Sequence, residues 1–96
     1  QPRSRGLGDV YKRQVLYFTA AWCGPCKMFR PTFEGTLAEM GMSAQIVDVD
    51  QQRDLAAKHT VTAVPTVLLV DDNGNAIKRN SGVMSKPQLK QFLTSN

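Results

Sequence analysis

Soft metal ligands are nearly missing from this sequence. Its 96 residues include two cysteines and one histidine, His59. A structural zinc site takes four such ligands, commonly two Cys-x-x-Cys pairs or one pair with two histidines, so no metal is expected. Long apolar runs are missing too. No stretch reaches the roughly 18 apolar residues of a membrane span, and the opening residues carry no apolar segment of the signal type. Neither membrane contact nor export is expected.

Charge of one sign is scarce where it would matter. The formal net charge is +4, but residues 1–14 account for most of it, with Arg3, Arg5, Lys12 and Arg13 against Asp9. Residues 15–96 hold eight basic and seven acidic side chains. A nucleic-acid-binding domain shows a basic face or basic residues interleaved with aromatics. Neither pattern occurs here, so no direct nucleic-acid contact is expected.

What the chain does have is Trp22-Cys23-Gly24-Pro25-Cys26, which holds both cysteines two residues apart. The motif follows an apolar run and precedes a helical pattern. Cys23 therefore falls at a helix N-terminus with its sulfur exposed, where free N–H groups and the helix dipole favour an anion. The thiolate is the reactive form of cysteine. Cys26, one turn further in, lies close enough to close a disulfide with it. Reversible dithiol–disulfide exchange is the chemistry this arrangement favours. A purely structural disulfide is the weaker reading, because so short a loop removes little chain entropy. An inert pair of thiols is the other alternative.

The pattern along the chain predicts β-α-β-α-β-β-α. Residues 15–19 are continuously apolar and β-prone, as in a strand covered on both faces. Phe29, Phe33, Leu37 and Met40 recur at helical spacing after the motif, Gly41 offers a stop, and Pro31 predicts a kink. Residues 45–49 read as a strand, and Asp50 as the cap of a helix over about 51–59. Residues 67–70 read as a buried strand. Asp72-Asn73-Gly74 signals a hairpin into an antiparallel strand near 75–80. Ser85 with Gln88 forms a capping box for a last helix bearing Leu89, Phe92 and Leu93. Residues 1–14 lack an apolar period and read as a flexible or foreign N-terminal tail, with one domain over 15–96. Polar neighbours make His59 a solvated surface residue, and Met28, Met40, Met42 and Met84 read as core or rim filler.

The motif with its lysine, Trp22 to Lys27, resembles the active-site sequence of thioredoxins. Val64-Pro65-Thr66 is similar to that family's cis-proline loop, Asn73-Gly74 to its hairpin turn, Gly82 to a glycine facing the active site, and Pro31 to its helix-kinking proline. The resemblance covers about residues 15–96. It implies a thioredoxin-like α/β fold with a central mixed sheet flanked by helices, and a monomeric, cytoplasmic protein-disulfide reductase. Cys23 would be the nucleophile and Cys26 the resolving thiol, with Gly24, Pro25 and Lys27 tuning redox poise. Trp22, Val64, Pro65, Gly82 and Val83 would form the substrate-binding surface, with Trp22 partly exposed and shielding the sulfurs. A cis Val64–Pro65 bond would turn the Val64 backbone toward them. No bound cofactor is implied beyond the Cys23–Cys26 disulfide. Partners would be disulfide-containing proteins and a thioredoxin reductase, an NADPH-dependent flavoprotein. A second reading is a binding subunit of a larger complex acting independently of redox chemistry. Gly-Pro between the cysteines disfavours a glutathione-dependent glutaredoxin.

One departure stands out. Thioredoxins usually keep a buried aspartate six residues before the first cysteine, and here that residue is Tyr17. A lysine often kept on the next strand aligns with Ile46. Losing both together is physically coherent, since either charge alone in the interior would be costly. A tyrosine cannot accept the Cys26 proton at neutral pH, but its hydroxyl can donate a hydrogen bond.

Overall fold

The computed structural model describes residues 14–71 and 73–94. Its first strand, β1 (Gln14–Thr19), sets the layering. Val15, Leu16, Tyr17 and Phe18 are all buried. Successive strand side chains point to opposite faces, so β1 must be covered on both. Val15 and Tyr17 join one apolar cluster, and Leu16 and Phe18 join another.

The remaining elements are α1 (Gly24–Glu39), β2 (Ala44–Asp48), α2 (Arg53–Lys58), β3 (Thr66–Val70), β4 (Ala76–Ser81) and α3 (Lys86–Thr94). The strand order is β2-β1-β3-β4. β1 runs parallel to β2 and antiparallel to β3, and β4 runs antiparallel to β3. This is the expected mixed α/β sheet in the expected element order. β1 starts at Gln14, one residue before the expected boundary; residues 1–13 of the expected tail lie outside the described residues.

Helices α1 and α3 cover one face. Phe29, Phe33 and Leu37 from α1 meet Leu89 and Leu93 from α3 over Val15, Tyr17, Val67 and Leu69. The short α2 covers the other face, placing Ala56 against Leu16, Phe18, Val47, Leu68 and Val70. An exposed ion pair joins the two helices on the first face, Lys90 Nζ lying 3.2 Å from Glu39 Oε1. Lys86 also pairs with Glu39.

Local signals explain the helix limits. α1 runs through Pro31, which is exposed, and stops at Gly41. There φ is +70°, the Met42 N–H donates to Leu37 O at 2.9 Å, and the Gly41 N–H donates to Ala38 O at 3.2 Å. This paired closure satisfies the last carbonyls and suits glycine because φ is positive. The capping box of α3 forms as expected, with the Ser85 N–H donating to Gln88 Oε1 at 3.0 Å and the Gln88 N–H to Ser85 Oγ at 3.4 Å.

Three local expectations are corrected. Asp50 does not cap the second helix. Asp48 Oδ1 organises that turn, accepting from the Asp50 N–H at 2.8 Å, and α2 starts only at Arg53 behind an N-cap, Gln52, whose side chain makes no cap bond. His59 is not solvated but 8% exposed, edge-on to Phe18 at 6.1 Å. Burial, then the nearby Lys58 and Arg79 charges, push its pKa down. Its backbone carbonyl accepts from the Arg79 guanidinium. Among the methionines, Met84 is buried and Met40 and Met42 pack on the core, whereas Met28 is 80% exposed.

The hairpin from β3 to β4 turns on Asp71. Its Oδ1 accepts from the Asn73 and Asn75 N–H groups at 2.9 Å each, and its carbonyl accepts from the Gly74 N–H at 3.0 Å. Asp72, expected in this turn, lies outside the described residues.

Phe33 is fully buried, and its ring stacks on Tyr17 at 4.5 Å. Truncating a buried phenylalanine leaves a cavity and costs about 3–5 kcal/mol. Phe33→Ala should lower the unfolding free energy by that much, as measured by urea denaturation.

Candidate active site

The chain leaves β1 at Thr19 and turns into α1 within four residues. The Cys23 N–H donates to Ala20 O at 3.1 Å, closing the turn. Cys23 is the N-cap of α1, with φ −90° and ψ 107°. Its Sγ accepts the Cys26 N–H at 3.1 Å. The sulfur thus stands where a serine or aspartate oxygen usually caps a helix. Pro25 lies in the first turn, where a missing N–H costs nothing. No acidic residue occupies that turn, so the helix dipole favours negative charge on the capping sulfur unopposed from within the turn.

A disulfide joins Cys23 and Cys26, with Cα atoms 5.3 Å apart. Cys23 is not the exposed sulfur its helix-end position suggested. It is 4% exposed against 1% for Cys26. The pair forms a small apolar cluster with Ala20, and Val49 and Val64 pack against it.

Val64 and Pro65 are joined by a cis peptide bond, as expected. Pro65 is buried, and its carbonyl accepts the Gly82 N–H at 2.7 Å. Gly82 has φ +100°, which L side chains rarely adopt. The Thr66 hydroxyl donates to Ala63 O at 2.7 Å and steadies the loop from its other end. The fold therefore brings Cys23, Cys26 and Val64 into one cluster and links Gly82 to it through Pro65. Gly24, Pro25, Lys27 and Val83 are exposed.

Trp22 is 70% exposed, and its indole N–H donates to Asp50 Oδ2 at 2.9 Å. Asp50 is a site neighbour that the sequence reading assigned to helix capping. Its partner lies 28 residues away, so no local pattern marks it.

Beneath the cysteines lies Tyr17, fully buried. Its hydroxyl donates to Cys26 O at 2.9 Å. It pairs in register with Ile46 on β2, so the two positions where the resemblance expects a charged pair are indeed neighbours and both uncharged. Burial pushes the Tyr17 phenol from 10.0 up to about 12; the Arg30 charge opposes that rise and Glu34 adds to it.

A mixed sheet with helices on both faces, and a Cys-x-x-Cys pair capping the helix after its central strand, defines the thioredoxin-like class. The comparisons agree. The thioredoxin family model matches residues 7–95. Mitochondrial thioredoxin of Mus musculus is 40% identical over 81 residues, covering 82% of this chain and 48% of that protein. The chain thus spans about half the length of that relative. Thioredoxin of Bacillus subtilis is 37% identical over 81 residues, covering 82% of this chain and 77% of that protein. Among solved structures, Fasciola hepatica thioredoxin superposes with a TM-score of 0.79 at 33% identity, covering 97% of this chain and 88% of that one. A mutant thioredoxin from Halobacterium salinarum gives 0.80 at 28% identity, covering 99% and 83%. The chain belongs to the thioredoxin family. Among the described residues, no helix is long and apolar enough to cross a membrane.

The raised Tyr17 pKa has a stability consequence of definite sign. Between pH 10.0 and about 12 the unfolded phenol is ionised while the folded one keeps its proton. The unfolded state then binds fewer protons, so stability falls as pH rises through that window. A shift of this size corresponds to about 2–3 kcal/mol. Urea denaturation across the alkaline range should show this loss in the wild type and a smaller one in Tyr17→Phe.

Proposed function

We propose that this protein is a protein-disulfide reductase that works by dithiol–disulfide exchange. The observation that carries the reading is the Cys23 sulfur capping α1, joined to Cys26 in a disulfide. Family membership supports it. In the reduced protein, the Cys23 thiolate attacks one sulfur of a target disulfide. A Cys23–target bond forms, and the second target sulfur leaves with the electron pair and takes up a proton. Cys26 then loses its proton to water and attacks Cys23 Sγ. The Cys23–Cys26 bond forms, the mixed disulfide breaks, and the remaining target sulfur leaves as a thiolate. The target gains two electrons and the protein is left oxidised.

A separate thioredoxin reductase, a flavoprotein using NADPH, returns those electrons, so the chain itself needs no cofactor beyond its disulfide. Gly24 and Pro25 set the redox poise in the reducing direction, and the Lys27 charge favours the thiolate. The docking surface for target chains is made by Trp22, Val64, Pro65, Gly82 and Val83. The protein acts as a monomer in a compartment that keeps thiols reduced, such as the cytoplasm.

Insulin reduction with NADPH, with and without thioredoxin reductase, tests the reading. Turnover should require the reductase and vanish in Cys23→Ser. Cys26→Ser should instead accumulate a long-lived mixed disulfide with insulin. Faster alkylation of Cys26 than of Cys23 in the reduced protein would reverse the assigned roles.

A further inference from the structure

Among the described residues, Tyr17 reaches from the sheet face under α1 to the backbone of a cysteine. Its hydroxyl meets the Cys26 carbonyl at 2.9 Å. Cys26 lies in the first turn of α1, and a helix carbonyl oxygen has two lone pairs, so it can accept a side-chain donor beside any ladder bond. The ring cannot move away. It is fully buried, stacked on Phe33 at 4.5 Å and tilted against Phe29 at 5.9 Å. Its strand is held from both sides, Tyr17 pairing with Ile46 on β2 and Val67 on β3. The bond therefore runs from the most constrained part of the sheet to the backbone of Cys26.

Cys26 is the residue whose placement matters when the disulfide opens. While Cys23 is bound to a target, nothing covalent holds Cys26 Sγ near Cys23 Sγ. The resolving attack then depends on how narrowly the Cys26 backbone is confined, because holding reacting atoms in position is what makes an intramolecular step fast. On the reductase reading above, we propose that Tyr17 is a positioning residue for the resolving step, its hydroxyl anchoring the Cys26 backbone so that Cys26 Sγ stays in reach of Cys23. The phenol keeps its proton up to about pH 12, so the anchor does not switch with pH in the physiological range.

A chromophoric aromatic disulfide reagent separates the two steps. Reduced protein releases one coloured thiolate when Cys23 attacks and a second when Cys26 resolves the mixed disulfide. Tyr17→Phe keeps the ring and removes only the hydroxyl. Its first phase should match wild type, and its second should slow by roughly three- to tenfold, the kinetic equivalent of one lost hydrogen bond. A purely structural tyrosine would lower the unfolding midpoint and leave the second phase unchanged, and that result overturns the proposal. Should Tyr17→Phe fail to fold, the wild-type second phase still decides. Its pH profile should follow one thiol ionisation, and a further ionisation that shifts when fluorotyrosine, whose phenol has a lower pKa, replaces tyrosine biosynthetically would overturn a permanently protonated anchor. A wild type with no first phase would defeat the reductase reading itself, and the proposal with it.

Discussion

The architecture depends on burying β1 from both sides. Four consecutive side chains, Val15 to Phe18, leave almost no surface exposed. Neither face tolerates solvent, so one helix layer would not be enough. The long α1 and α3 supply aromatic and leucine side chains to one face, and the small α2 supplies Ala56 to the other. The same requirement fixes where the chemistry sits. A chain leaving the end of a doubly covered strand must turn at once to enter its covering helix, and here the N-cap of that turn is Cys23.

The site's electrostatics are simple because its charges are few. No acid stands in the first turn of α1, and the buried position beneath the cysteines holds a phenol in place of a carboxylate. A buried carboxylate would titrate together with the sulfurs, and the apparent pKa values would belong to the set. The phenol keeps its proton instead, and its hydroxyl serves only as a donor. Ile46 beside it removes the need for a compensating cation. The interior thus gives up a coupled acid and gains a fixed hydrogen bond.

Much of this was legible in the amino-acid order, wherever the controlling signal was local. The capping box of Ser85 and Gln88, the Gly41 stop, the two-sided apolar run of β1 and the Cys-x-x-Cys spacing all act within a few residues. What escaped depended on partners far apart in sequence. His59 looks solvated among its polar neighbours, yet Phe18 of β1 packs on its ring and Arg79 of β4 bonds its carbonyl. Asp50 has the identity of a capping residue but is taken up by Trp22. Cys23 has the position of an exposed sulfur but is covered once Val49 and Val64 pack on the pair. The cis bond before Pro65 was readable only through the family resemblance, since proline alone also suits the start of a strand.

The contact between Pro65 and Gly82 bears on how the loop can change over evolutionary time. Pro65 has no hydrogen to give, and its oxygen is already occupied by the Gly82 N–H at 2.7 Å. The path of the loop is held by that main-chain bond at one end and by the Thr66 hydroxyl on Ala63 O at the other. The exposed side chain at 83 can accordingly be exchanged without rebuilding that path, whereas Val64 is committed to packing on the cysteine pair. Backbone path and surface chemistry are thus set by different atoms at this loop, and the second can change at position 83 while the first stays.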